Sequence, residues 1–152
     1  MTRRALATLF AGLALAGAAA AACADLDTGF DPAFGLSDEV VVEASFSRDV
    51  QPIFDRRCLS GGCHTLASAQ AGLILDASMS YDALVNNQQA TLDATFRRVV
   101  PGDPDASWLI RMIAEDPAGR GGFARMPLAS APLTANQIQT IRNWILRGAP
   151  ND

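Results

Sequence analysis

The chain has 152 residues, 49% hydrophobic and 18% charged, which suits one globular domain and excludes an intrinsically disordered protein. Its formal net charge is −4 and every basic residue is arginine; this acidity argues against nucleic-acid binding, where affinity comes from neutralising phosphates.

Part of the apolar content lies outside any core. Met1-Thr-Arg-Arg4 followed by the apolar run Ala5 to Ala22 has the charged start and alanine-leucine stretch of an export signal, so residues 1–22 are expected to be a signal peptide. The run ends in Ala20-Ala-Ala-Cys23, which resembles the lipobox of bacterial lipoproteins, with Ala20 where leucine is usual. That resemblance implies lipidation at Cys23. Cleavage after Ala22 or Ala24 by an ordinary signal peptidase is the alternative, followed by an uncleaved spanning helix that the alanine content disfavours. A chain starting at Cys23 loses Arg3 and Arg4, so its formal charge falls to −6. In an oxidising compartment Cys23 would be taken by lipid, leaving Cys58 and Cys63 as a pair.

Residues 23–45 are rich in Asp, Gly and Pro and are expected to form a flexible acidic tether, with Val40-Val-Val42 as a short strand at its end. The domain proper is expected over 46–150. Pro52 is tolerated only in a first helical turn, which favours Asp49 over Ser47 as N-cap of a helix. Val50, Ile53, Phe54 and Arg57 share one face of that helix, which delivers Cys58 at its end.

Cys58-Leu-Ser-Gly-Gly-Cys-His64 carries the chemistry. Two thiols followed at once by an imidazole is the arrangement that ties a haem covalently to a polypeptide, the sulfurs on the porphyrin's vinyl groups and the histidine on the iron. Four residues separate the cysteines here instead of two; Gly61 and Gly62, lacking Cβ, can take positive φ and let the extra residues bulge outward. His64 is the only histidine.

Gly72-Leu-Ile-Leu-Asp76 reads as an extended piece, Ser80 to Val85 as a helical turn or two capped by Ser80, and Asn86-Asn-Gln-Gln89 as a polar connection. Pro101-Gly-Asp-Pro104 is a turn whose Asp103 caps a helix over about 104–115, with Trp108, Leu109, Met112 and Ile113 on its buried side. Residues 116–132 form a loop with Gly119, Gly121, Gly122 and three prolines, carrying Met126. Thr134 as N-cap, Gln137 in a capping box, Leu133 and Ile138 as staple, and Gly148 then Pro150 as the stop define the last helix.

Taken together, Phe46 to Phe54, Cys58 to His64, Gly72 to Asp76, Val100 to Ile110, Arg125-Met-Pro127 and Leu133 through Ala149 resemble the small class I c-type cytochrome domains of planctomycete-type exported proteins. The resemblance implies an all-α cytochrome c-like fold wrapped around one covalently bound haem, with the first and last helices packed together. It implies Cys58 and Cys63 as thioether positions, His64 as proximal iron ligand and Met126 as distal ligand, with Met79 as second choice and Met112 as core. Arg97, Arg98 and Arg125 are candidates to pair with the propionates, or are solvated surface charges.

The function so implied is single-electron transfer at the cell envelope by a carrier that is not an enzyme, exported to the periplasm, lipid-anchored at Cys23, and meeting redox partner proteins. Two other readings stay open. One is a haem-free lipoprotein binding or scaffold module closed by a Cys58-Cys63 disulfide. The other is a copper site of Cys58, Cys63, His64 and Met126.

Overall fold

Ser45 opens the first helical segment: its hydroxyl accepts from the Arg48 N–H at 3.4 Å while its own N–H donates to Asp49 Oδ2 at 2.8 Å, a reciprocal cap. The segment begins as a π-helical turn, Phe46–Val50, and runs on into helix α1, Gln51–Arg57. Ser45 rather than Asp49 is therefore the cap, because a widened turn separates it from Pro52 and leaves the proline at the start of the α-helical part.

The computed structural model describes residues 30–31, 35–86, 96–114, 116 and 118–152. The expected signal peptide, Cys23, most of the tether before residue 35 and most of the 86–89 connection lie outside the described residues. Of the described residues 42% are helical. Two further α-helices follow α1, namely α2, Trp108–Ile113, and α3, Ala135–Leu146, joined by turns and short 3₁₀ or π segments. Among the described residues strand is confined to β1, Phe30–Asp31, and β2, Leu36–Ser37, paired antiparallel with Phe30 opposite Ser37.

The packed region reaches back beyond Phe46. Leu36 and Ala44 are buried, and the backbone between them is held by side chains of α3 and its cap. Asn136 Nδ2 donates to the Asp38 carbonyl at 2.8 Å, Thr140 Oγ1 accepts from the Val41 N–H at 3.1 Å, and Asn143 Nδ2 donates to the Val41 carbonyl at 2.9 Å. Residues 36–45 are thus docked rather than a free tether, and 40–42 form no strand, since the polar groups a strand would pair are satisfied by the helix.

Helix α3 is the spine. Thr134 and Gln137 form the expected capping box, with bonds of 3.1 and 3.2 Å. At the other end Gly148, at φ +93°, donates to the Ile145 carbonyl at 2.9 Å and Ala149 donates to that of Trp144 at 3.0 Å, a complete Schellman motif. Between the caps Ile141, Trp144 and Ile145 are fully buried. Trp144 meets Phe46 with ring centroids 5.0 Å apart, and Phe46 meets Tyr81 at 5.3 Å. The Tyr81 hydroxyl donates to the Ala149 carbonyl at 2.9 Å, so the 80–86 turn is tied to the end of α3.

Helix α2 is shorter than the expected 104–115. Asp103 does cap, accepting from the Ala106 N–H at 3.0 Å, but it caps a separate turn. Ser107 then donates to the Asp103 carbonyl at 2.8 Å and accepts from the Val100 N–H at 2.9 Å, fixing the chain so that helix starts only at Trp108. Ser80 is likewise no cap: its hydroxyl is buried and donates to Gln51 Oε1 at 2.5 Å, joining the 80–86 turn to α1.

Candidate functional site

Helix α1 delivers Cys58, whose N–H closes the last turn on the Phe54 carbonyl at 2.8 Å. Three of the four residues between the cysteines form a 3₁₀ turn, Ser60–Gly62, that borders the cavity, with Gly61 and Gly62 both at φ +74°. The left-handed backbone costs a residue bearing Cβ about 1–2 kcal/mol, which explains glycine at both positions. Nothing lies within 4 Å of a Cβ built on Gly62, so backbone strain is the only penalty there. Gly62→Ala is expected to lower the melting temperature by roughly 4 °C for a loss of about 1 kcal/mol, while Ser60→Ala, exposed on the same turn, leaves it unchanged; a thermal melt of the three proteins checks this.

Past the second cysteine the chain is knotted into place by its own polar groups. Gln70 N–H donates to the Cys63 carbonyl at 3.1 Å, Ser68 Oγ donates to the same carbonyl at 2.6 Å, and Leu75 N–H donates to the His64 carbonyl at 2.8 Å. The extended 73–75 piece therefore runs beside His64. The imidazole Nδ1 lies 3.3 Å from the Leu73 carbonyl. A carbonyl only accepts, so the ring is the Nδ1–H tautomer and Nε2 keeps its lone pair. Burial pushes the His64 pKa below its ordinary value, with bonds to the Leu73 and Gln70 backbone opposing and Arg98 assisting, so the ring is neutral at pH 7. A neutral imidazole oriented through its other nitrogen is the form a metal ion accepts.

These residues border a cavity of about 550 Å³, within the range of about 300–1,000 Å³ typical of small-molecule and cofactor sites. Cys58, Cys63, His64 and Met126 all lie on its wall. Cys58 and Cys63 are free thiols, the first half-buried against the core and the second exposed. Burial pushes the Cys58 thiol up to about 12, with Arg57 opposing and Asp55 assisting, so it is the neutral S–H at pH 7.

Met126 arrives from the loop after α2. Its N–H donates to the Met112 carbonyl at 2.8 Å, and Arg120 secures the loop's start by bonds to the carbonyls of Ala114, Asp116 and Phe123. Helix α2 supplies Trp108, Leu109, Met112 and Ile113 to the same wall, all buried. Trp108 stacks on Phe96 with centroids 4.8 Å apart and meets the edge of Phe123 at 5.9 Å. Met79, the second choice for the iron, is 40% exposed and is not on the cavity wall.

Two arginines complete the lining. Arg98 is buried and donates to the Ala83 carbonyl at 2.8 Å and the Gly72 carbonyl at 3.0 Å; Arg97 and Arg125 are not part of the wall. Arg57, 2% exposed, donates to the carbonyls of Ala131 and Pro132 at 2.8 and 2.7 Å. Sequence reasoning put Arg57 on the apolar face of α1 without giving it a role; a permanent cation on an apolar stripe, directly before the first cysteine, was the available signal. Among the described residues no aspartate or glutamate lines the cavity. An apolar chamber whose described charged lining is two guanidiniums favours a large apolar ligand bearing negative charge.

No protein-family model matches the chain, and no curated protein or solved structure is significantly similar to it.

Proposed function

We propose that the chain is a monohaem c-type cytochrome with a cytochrome c-like helical domain, passing single electrons at the cell envelope. The observation that carries this reading is one apolar cavity whose wall holds Cys58, Cys63, His64, Met126 and two buried arginines and, among the described residues, no carboxylate. The residues fit haem c chemically: two thiols for thioether bonds, a neutral imidazole with Nε2 available, a thioether, and two cations for two propionates.

When bound, the haem iron supplies reversible one-electron chemistry. The protein's own groups set the terms. His64 is oriented by the Leu73 carbonyl, which makes its lone pair a better donor. Met126, as a thioether holding the iron together with His64, would raise the reduction potential relative to a second histidine. If His64 and Met126 both held the iron, it would keep no place for a substrate, so the proposed role is that of an electron carrier and not an enzyme. Trp108, Leu109 and Ile113 give the chamber a buried apolar wall. Export, anchoring through lipid on Cys23 and residence in the periplasm follow from the amino-terminal segment, and the acidity of the chain favours redox partners with a basic face.

Arg98→Met is expected to lower the reduction potential, because a buried cation favours the less positive ferrous state. It also lowers stability by about 1–3 kcal/mol, since the Gly72 and Ala83 carbonyls lose their donors. Protein-film voltammetry and denaturant melts read the two effects separately.

The deciding experiment is export in a host with the haem-attachment machinery, followed by intact mass and a reduced visible spectrum. Added haem mass with a c-type spectrum supports the proposal. A loss of two hydrogens without a chromophore replaces it with the haem-free module closed by a disulfide, and bound copper replaces it with a copper protein.

A further inference from the structure

The cavity presents two thioethers, not one. Met112, on α2, is 7% exposed, and Met126, on the following loop, is half-buried; both lie on the wall. They are joined through the backbone by the 2.8 Å bond from the Met126 N–H to the Met112 carbonyl. Both also pack in the small cluster built around Trp108 with Phe96. The structure thus brings the helix methionine and the loop methionine to one side of the chamber as neighbours.

Resting on the cytochrome reading above, we propose that Met112 is a second sulfur ligand for the distal side, taking the coordination position when Met126 is absent from it. The physical case is one of reach and softness. Methionine has three rotatable bonds and a polarizable sulfur, so a buried methionine fills space in one rotamer and binds in another. Exchanging one thioether for the other breaks one Fe–S bond and forms another of the same kind; no proton or electron moves. Met112 is held on a helix, whereas Met126 lies on a loop tied at its start by Arg120, at Met126 by the Met112 carbonyl and at its end by Arg57. The pair would keep the iron six-coordinate and closed to small ligands even when that loop is displaced. A lone distal methionine gives no such protection.

The test uses leucine, close to methionine in volume and shape, so that each variant removes sulfur with little change of packing. Full-length wild type, Met126→Leu, Met112→Leu and the double variant are matured with haem and checked by intact mass. The sulfur-to-iron charge-transfer band of the ferric protein and carbon monoxide binding to the ferrous protein are then read. The expected result is that both single variants keep the band and resist carbon monoxide, while the double variant loses the band and binds the gas readily. Met126→Leu alone losing the band and binding carbon monoxide as fast as the double variant would overturn the inference while leaving the haem reading intact. Wild type without covalent haem would overturn both.

Discussion

A chain carrying Cys58→Ala and Cys63→Ala, matured beside the haem-attachment machinery, is expected to leave the cell without covalently added haem, while the parent chain gains one. In each attachment bond a thiol gives its sulfur to one carbon of a vinyl group and its hydrogen to the other, so alanine removes the reacting atom outright. The fold should survive the change. Cys63 is exposed, where substitutions shift stability within about 0.5 kcal/mol, and Cys58 is only half-buried at the end of α1. Each single variant is expected to retain a haem through the remaining thioether, giving the same added mass as the parent. Intact mass after extraction with acidified organic solvent distinguishes these cases, because only a covalent group stays. Undiminished covalent haem in the double variant would remove Cys58 and Cys63 from the site. The same variant also bears on the rival reading: if the cysteines instead form a disulfide, the parent should lose stability on reduction and the double variant should not respond to reductant.

Features encoded by near neighbours were legible in the sequence. Thr134, Gln137 and Gly148 cap α3 through bonds spanning three to five residues, so their types and spacing suffice. Gly61 and Gly62 mark a turn between the cysteines because only glycine takes that backbone cheaply, and both stand at φ +74°. The order of motifs along the chain groups Cys58, Cys63, His64 and Met126, and all four lie on the wall of one cavity. What escaped was set by distant partners. Ser45 caps the first segment in place of Asp49, and there the Phe46 and Ser47 N–H groups donate to Asp152 Oδ1 and to the Asp152 carbonyl, at 2.8 and 2.9 Å. Residues 36–45 look like a polar tether until Asn136, Thr140 and Asn143 are seen to satisfy their backbone. Arg57 shares the apolar face of α1, but its partners do not show in the sequence, since its acceptors at Ala131 and Pro132 belong to a loop that local pattern does not bring near.

Trp144→Ala is expected to cost about 3–5 kcal/mol, the range for emptying a buried tryptophan site, out of the roughly 5–15 kcal/mol that stabilises a typical domain. Trp144 is fully buried, its indole N–H donates to the Pro150 carbonyl at 2.9 Å, and its ring backs Phe46, which opens the segment leading into α1. Alanine therefore leaves a void where the start and end of the domain meet and strips Pro150 of its donor. Roughly 10–20 °C should be lost from the melting temperature. Trp144→Phe refills most of the volume and should recover much of the loss, apart from the missing N–H. The effect on the cofactor should differ in kind from that of the cysteine variants. Covalent bonds hold once made, so haem added before unfolding remains on the chain and the mass is unchanged, while the yield of matured protein falls because α1 no longer holds Cys58 firmly at the cavity. A Trp144→Ala protein that melts within a few degrees of the parent would show that α3 is not the wall on which the Phe46 segment leading into α1 is built.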